Sequence, residues 1–222
     1  PEMLFPKGLQ VPLPEDAPMV PDMDEFRFGY LVRISEKVVM EGHADGRYSG
    51  THFRYPVVYG PRQVSHEVWG LMQRFTDKRP HIVLPEGGLT LTTHGYSENV
   101  AHAVLLAAQQ PEAAAGQIYN CGDERQFTLA QWVQVIGEAM DGEIEIVSVP
   151  DRYAYSARSL MMFYGPADHQ IFDLYKVRAE LGYRDPIDPV EALQRTVHWY
   201  RETPPVVSAQ FATDLAENYS ME

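Results

Sequence analysis

The sequence predicts an α/β protein, because segments of two different periodicities alternate along it. Stretches of β-branched, aromatic or strictly alternating apolar residues indicate strands, and stretches with apolar residues every three or four positions indicate helices. The chain has 222 residues, 45% of them hydrophobic, so it is long and apolar enough to bury a core. We therefore do not expect disorder, a collagen or a disulfide scaffold.

The charge of the chain bears on its partners. Its 31 acidic residues outnumber its 18 Lys and Arg, and the net charge of −13 repels a phosphate backbone, so we expect no nucleic-acid partner. No segment resembles a signal peptide or a long apolar span, so we expect no membrane association. The single cysteine, Cys121, cannot form a disulfide within the chain, which is typical of a reducing compartment. These features predict a cytoplasmic protein.

The first quarter of the chain predicts a connector, a helix and a strand. Six prolines in Pro1–Pro21 predict an extended connector, and because it opens at Pro1 without Met we expect the chain to be the later part of something longer. Apolar residues recur every four positions in Asp22–Glu41, which predicts an amphipathic helix that Gly42 ends. Thr51–Tyr59 predicts a strand, followed by a turn at Gly60.

The middle of the chain predicts alternating strands and helices. The expected strands are His81–Leu84, Leu89–Thr93, Gln117–Cys121 and Glu143–Val149. The expected helices begin at the caps Ser65, Ser97 and Thr128. Gln131 follows Thr128 at the spacing of a capping box, and Pro111 closes the second of these helices.

The last part of the chain predicts two helices and a tail. The first covers Asp173–Leu181 and ends at Gly182. The second begins with Asp188 as cap, with Glu191 completing a capping box, and ends before two prolines. Residues 206–222 are expected to form a loosely docked tail.

Several segments, in the same order along the chain, resemble the extended short-chain dehydrogenase/reductases, the NAD-dependent epimerase/dehydratase family. They are RYPVVYGPRQ at Arg54–Gln63, SENVA at Ser97–Ala101, YNCGD at Tyr119–Asp123, the helix Thr128–Ile136, the late signature Asp173, Lys176, Leu181, Gly182 and Tyr183, and Val197–Trp199.

The resemblance implies the C-terminal part of a Rossmann-like doubly wound sheet with a smaller α/β substrate domain. The two would be interleaved over residues 22–205, between the connector 1–21 and the tail 206–222. It implies NAD or NADP as cofactor, and an epimerase, dehydratase or reductase acting on a small polar metabolite such as one derived from a sugar. The chain has no glycine-rich turn between a strand and a helix, so the pyrophosphate loop is expected on a missing N-terminal segment.

The catalytic Tyr-x-x-x-Lys pair of the family would lie on the helix Asp22–Glu41. If Glu36 matches the Glu that follows this Lys, the pair becomes Phe28 and Val32. Tyr30 lies two residues out of register and is our catalytic candidate. It is either a core aromatic residue or a displaced proton donor supported by Arg33.

The resemblance also suggests ligand contacts. Backbone groups of Tyr55, Pro56, Val57 and Val58 are expected to meet the nicotinamide amide. Candidate substrate contacts are Arg62, Gln63, Trp69 and His94, although Arg62 is equally compatible with a surface charge. Val57 and about Thr92 stand where nucleotide-sugar epimerases carry an Asn and an Arg, so a different or smaller substrate is expected.

Other residue patterns give weaker indications of function. His94, Glu98 and His102 are spaced by four, but Gly95 and the cap Ser97 interrupt a continuous helix, so no metal site is expected. Two alternatives to an enzyme remain open. One is a non-catalytic ligand-binding or scaffold protein on the same fold, and the other is association through an open sheet edge, for example as a homodimer.

Overall fold

A computed structural model of the chain describes residues 8–19, 27–63, 67–154 and 169–221. Within these residues, strands and helices alternate, and two strand pairs are parallel, which confirms the α/β class. The strands are β1 (His52–Arg54), β2 (Val57–Tyr59), β3 (His81–Pro85), β4 (Leu91–Thr92), β5 (His94–Tyr96), β6 (Ile118–Asn120), β7 (Phe127–Thr128) and β8 (Glu145–Val149). The helices are α1 (Arg27–Ala44), α2 (Glu67–Thr76), α3 (Ser97–Gln109), α4 (Pro111–Ala114), α5 (Leu129–Ala139), α6 (Tyr175–Leu181), α7 (Pro189–Glu202) and α8 (Ala209–Met221).

The chain forms two compact units, each built from three separate stretches. Unit 1 consists of Pro1–Val58, Thr93–Glu124 and Gln170–Ile187. Unit 2 consists of Tyr59–Thr92, Arg125–His169 and Asp188–Glu222.

Unit 1 is organised around the parallel pair β1 and β6, in which His52 is opposite Ile118. Leu13 adds a short bridge beside Phe172: its N–H donates to the carbonyl of Ile171 at 2.6 Å, and its own carbonyl accepts from Asp173. The core of the unit gathers side chains from the connector, α3, β6 and α6. They include Leu13, Val100, Ala103, Tyr119, Cys121, Phe172, Val177, Leu181 and Tyr183.

Unit 2 is organised around the parallel pair β3 and β8, with β4 and β7 antiparallel beside a turn at Glu86–Gly88. Helix α5 packs against α2 and α7. The rings of Tyr59 and Trp132 meet edge to face, with centroids 4.9 Å apart. Other buried apolar side chains are Val68, Leu71, Met72, Ile82, Leu84, Leu129, Ile136, Leu193 and Val197.

Two local signatures are confirmed. Thr128 accepts from the N–H of Gln131 at 3.1 Å, and the Gln131 side chain accepts from the N–H of Thr128 at 2.9 Å, which completes the capping box of α5. Gly182 ends α6 in the left-handed conformation, with φ of 69°.

Helix α1 corrects the prediction in two ways. It continues through Gly42 to Ala44, and the glycine in the left-handed conformation after the helix is Gly46, with φ of 70°. Gly42 instead packs against the ring of Tyr48. The apolar stripe is also not the buried face, since Val38 is 54% exposed, while Gly29, Glu36 and Gly42 are buried. The helix is attached through a charged residue, as described below.

Other boundaries differ as well. The predicted strand Thr51–Tyr59 is divided into β1 and β2 at Pro56, which has no N–H to donate to a ladder. Ser97 is the first residue of α3 and not its cap. Glu191 does not complete a capping box: Asp188 accepts from Val190, and Glu191 pairs with Arg195. The strand expected at Leu89–Thr93 is shortened to β4, and β5 was not predicted.

The predicted tail at 206–222 contains the helix α8. In α8, the hydroxyl of Tyr219 donates to Asp77 at 2.9 Å, and the backbone carbonyl of Tyr219 accepts from Arg79 at 3.1 Å. The Arg79 guanidinium also lies over the Tyr219 ring, 4.5 Å from its centre. The predicted cap Ser65 lies outside the described residues. In the part of the chain that is described, no helix is both long and apolar enough to cross a membrane.

Candidate functional site

The candidate site in unit 1 lies where the parallel strands β1 and β6 end. In a parallel pair both carboxyl ends are at the same edge of the sheet, so the residues after Arg54 and Asn120 come together there. A Cβ at Gly122 would lie 3.3 Å from the Pro56 ring, and a Cβ at Gly95 would lie 3.4 Å from it. Three chain segments thus meet at Pro56, and the glycines in two of them let the backbone approach its ring.

Tyr55–Val58 span the break between β1 and β2. Tyr55 is 47% exposed and stacks on Phe53, with ring centres 6.2 Å apart. Pro56 and Val57 are buried, and Val58 is partly exposed. Tyr55 and Pro56 lie outside both strands, so their backbone is not committed to a strand ladder.

His94 is buried in β5 and is positioned by Asp123. The N–H of Asp123 donates to the His94 carbonyl at 2.7 Å, and Oδ1 of Asp123 accepts from the Tyr96 N–H at 3.0 Å. The same Oδ1 accepts from Nδ2 of Asn99 at 3.0 Å. Asn99 in turn exchanges two hydrogen bonds with the backbone of Ile187. Asp123 therefore connects Tyr96, the residue before α3, to the side chain of Asn99 in the first turn of that helix.

The acidic residues Glu124 and Asp185 stabilise the same region through hydrogen bonds to each other's backbone. The N–H of Glu124 donates to Asp185, and the N–H of Asp185 donates to Glu124. Arg178 pairs with Glu124 at 3.0 Å, and the Tyr183 hydroxyl donates to Asp185 at 2.7 Å. Burial raises the pKa of Asp185 to about 6, although these hydrogen bonds oppose the shift.

Glu36 attaches α1 to β1. Its two carboxylate oxygens accept from Nε and Nη2 of Arg54 at 2.7 and 2.9 Å, and both side chains are buried. His52 Nε2 lies 3.5 Å from the same carboxylate. Burial lowers the pKa of His52, and the charge of Glu36 opposes this shift. The pair fixes the rotation of α1 about its axis.

The rotation of α1 determines where the catalytic candidates lie. Phe28, Val32 and Glu36 are spaced by four and share one face. Val32 packs against the core of unit 1, and Phe28 is 60% exposed. Tyr30 is half-buried and lies about 200° around the helix axis from Phe28. Tyr30 is therefore not on the face that carries Phe28 and Val32.

The remaining candidates lie in unit 2. Arg62 is exposed and has φ of 65°, a strained conformation for a residue other than glycine. Gln63 donates from Nε2 to Glu67 at 3.4 Å. Trp69 is half-buried against Tyr200, with ring centres 6.0 Å apart. The structure thus groups Gln63 and Trp69 around the start of α2.

Metal and thiol chemistry receive no support. Among the described residues, no group of three His, Cys, Asp or Glu side chains has the geometry to hold a metal ion. His94 lies in β5 while Glu98 lies in α3 and accepts from the Tyr96 hydroxyl. Burial raises the pKa of Cys121 to about 12, so its thiol stays protonated.

Sequence reasoning gave no role to Asn99, Asp123 or Glu67, and used Glu36 only to set a register. Asn99 and Asp123 lie in two of the segments that resemble the family, and this resemblance is the sequence feature that could have pointed to them. Glu67 follows Gln63 by four residues, a spacing that predicts contact only once a helix start is known.

Comparison with known proteins identifies relatives of both sequence and structure. The model of the NAD dependent epimerase/dehydratase family matches residues 4–122. The chain is 30% identical over 139 residues to the uncharacterized protein YbjS of Escherichia coli, covering 54% of this chain and 41% of the relative. It is 26% identical over 152 residues to dTDP-glucose 4,6-dehydratase of an Actinoplanes species, covering 64% and 41%. The chain spans less than half the length of these curated relatives.

Solved structures share the fold. The UDP-glucose 4-epimerase of Thermotoga maritima, solved with UDP-glucose, matches with a TM-score of 0.71 and 23% identity, covering 91% of this chain and 62% of that one. The dTDP-glucose 4,6-dehydratase of Bacillus anthracis, solved with NAD, matches with a TM-score of 0.64 and 16% identity, covering 85% and 55%.

Proposed function

Since this chain belongs to the NAD-dependent epimerase/dehydratase family, we propose that it is the later part of a protein that binds NAD or NADP and acts on a small, polar, sugar-derived metabolite. The observation that carries the proposal is the meeting of Pro56, Gly95 and Gly122 at the carboxyl ends of β1 and β6. In open α/β sheets, ligands bind outside this edge.

The chain fits a nicotinamide at this edge. The exposed Tyr55 and the break between β1 and β2 leave backbone that a planar amide can approach. Tyr55–Val58 would hold the carboxamide, while Asp123 and Asn99 keep β5 and α3 in place beside it. The bound nicotinamide would supply or accept a hydride.

The substrate is proposed to differ from the nucleotide sugars named for the relatives. Val57 is 5% exposed and Thr92 is 1% exposed, so neither buried side chain replaces the Asn or the Arg that nucleotide-sugar epimerases carry there. A substrate with fewer anionic groups fits these positions better.

An enzyme of this kind needs a proton donor, and one observation on α1 favours a second function. Phe28 and Val32 stand in register with Glu36, and neither side chain exchanges a proton or carries a charge. If Tyr30 with Arg33, its neighbour on the helix surface, does not provide the acid, the protein is a ligand-binding sensor on the same fold.

Cofactor binding tests the proposal. Calorimetric titration of the full-length protein that contains this chain, with NAD and with NADP, is expected to give saturable binding for at least one of them. Absence of binding by both cofactors would overturn the proposed function.

Tyr30→Phe separates the enzyme from the sensor. With UDP-glucose, dTDP-glucose and the sugar acid glucuronate as probes, loss of turnover in Tyr30→Phe but not in the exposed control Tyr175→Phe assigns the proton transfer to Tyr30. Equal turnover in both variants excludes Tyr30 as the acid. No turnover of any of these three probes by the parent protein, with cofactor binding intact, favours the sensor.

A further inference from the structure

Glu67 is a buried carboxyl group at the beginning of α2. It is 8% exposed, its Oε2 accepts from Nε2 of Gln63 at 3.4 Å, and within the described part of the chain its Oε1 has no hydrogen-bond partner. Buried polar atoms are normally satisfied, so a half-satisfied buried carboxyl calls for a functional explanation.

Within residues 8–19, 27–63, 67–154 and 169–221, which the structure describes, no opposite charge is found beside this carboxyl. Helix α2 packs against α5 and α7, and the buried titratable side chain that these two helices contribute is Tyr200, whose phenol bonds to the backbone of Gln63. On α2 itself, the buried Arg74 lies about 10 Å further along the axis. The other charged side chains of α5 and α7 are exposed, namely Glu138, Glu191, Arg195, His198, Arg201 and Glu202. Burial therefore raises the pKa of Glu67 to about 7, and the hydrogen bond from Gln63 opposes the shift.

Gln63 ends a strained turn. Its N–H donates to the Gly60 carbonyl at 3.2 Å, and the preceding Arg62 is in the left-handed region. A non-glycine residue persists there only when its surroundings hold it, and the side-chain hydrogen bond from Gln63 to Glu67 is one such constraint.

We propose that Glu67 is a positioning residue for the Gly60–Gln63 turn, holding the Gln63 amide when ionised and loosening that hold when it takes up a proton from solvent. An ionised carboxylate is a stronger acceptor than a neutral carboxylic acid, so the turn is held above neutral pH and released below it. The inference rests on the proposed function in one respect, that there is a sugar-derived substrate which the candidate contact Gln63 meets.

Trp69 provides a reporter for the experiment. It lies two residues after Glu67 and packs on Tyr200. Tryptophan emission of the protein is expected to change with a midpoint near pH 7, and Glu67→Gln, which keeps the shape of the neutral acid, should abolish the change. Gln63→Leu should move the midpoint to higher pH, because it removes the bond that lowers the pKa of Glu67.

Two controls assign the signal. Trp69→Phe should remove the transition, which distinguishes Trp69 from Trp132 and Trp199, and the exposed Glu138→Gln should leave it unchanged. A flat profile in the parent protein, or an unchanged transition in Glu67→Gln, overturns the proposal.

Substrate binding separates this inference from the proposed function. Affinity of the full-length protein for glucuronate, a sugar acid with one carboxylate that stays ionised in this range, is expected to be roughly three- to tenfold weaker at about pH 6 than at about pH 8, and equal at both in Glu67→Gln. Binding with no pH dependence overturns the positioning role. Absence of glucuronate binding at both pH values counts against the sugar-derived substrate of the proposed function, while the Trp69 titration still decides the role of Glu67 in the turn.

Discussion

Asn99 is a single side chain that connects three parts of unit 1. It is fully buried, it donates to Asp123 after β6, and it bonds in both directions to the backbone of Ile187. The positions it joins are far apart in sequence, so the side chain replaces a continuous strand or helix as the connection. Residues of this kind determine where His94 and Tyr96 lie.

Asn99→Ala is expected to destabilise the protein by roughly 2–4 kcal/mol, because three hydrogen bonds are lost and Asp123 keeps a buried acceptor with one donor fewer. Urea unfolding measures the change. Gln109→Ala, at an exposed position of the same helix, is the control and should change stability little. An equal effect of the two substitutions would contradict the network.

The position of helix α1, a whole element, is also set by a buried polar contact between residues distant in sequence. Its sequence has an apolar stripe, yet it is joined to β1 by the buried pair of Glu36 and Arg54, while Phe28, Leu31 and Val38 are exposed. Periodicity predicted that a helix exists, which is correct. It could not predict the attached face, because the partner of Glu36 lies on another element.

Arg54→Met is expected to cost about 3–5 kcal/mol of unfolding free energy, since it leaves the Glu36 carboxylate buried without its counter-charge. The double variant Glu36→Leu with Arg54→Met should lose much less, because both charges are removed. Glu41→Gln, in an exposed pair with Lys37, should change stability by less than about 1 kcal/mol. A double variant as unstable as the single one would show that the pair does not act as a unit.

The whole molecule consists of two units with separate parallel strand pairs, β1 with β6 and β3 with β8. Each unit has its own buried side-chain contact. In unit 1 it is the ion pair of Glu36 with Arg54, and in unit 2 it is the ring contact of Tyr59 with Trp132. Local opening is governed by such internal contacts.

Hydrogen exchange should therefore resolve the two units. Arg54→Met is expected to accelerate amide exchange in β1 and β6 more than in β3 and β8, and Trp132→Ala is expected to do the reverse. Mass-spectrometric detection of peptides from the four strands provides the measurement. Uniform acceleration by either variant would indicate one cooperative body.

The sequence predicted local features better than distant ones. The capping box of Thr128 and the end of α6 at Gly182 are correct, because each is decided within a few residues. The end of α1 at Gly42 was wrong because the glycine in the left-handed conformation is Gly46, while Gly42 packs against Tyr48, and the role of Asp123 was missed because its partners belong to other segments. The attached face of α1 depends in the same way on Arg54, which lies on another element.

The interleaving of the units also sets an order of events during synthesis. Unit 1 cannot complete its fold until its last stretch, Gln170–Ile187, has left the ribosome. Unit 2 likewise needs its last stretch, which begins at Asp188. At roughly 5–20 residues per second, β1 would wait on the order of ten seconds for the last stretch of its unit. During that interval the nascent chain exposes unfinished strands, so its yield in the cell should depend on chaperones more than the stability of the finished fold would suggest.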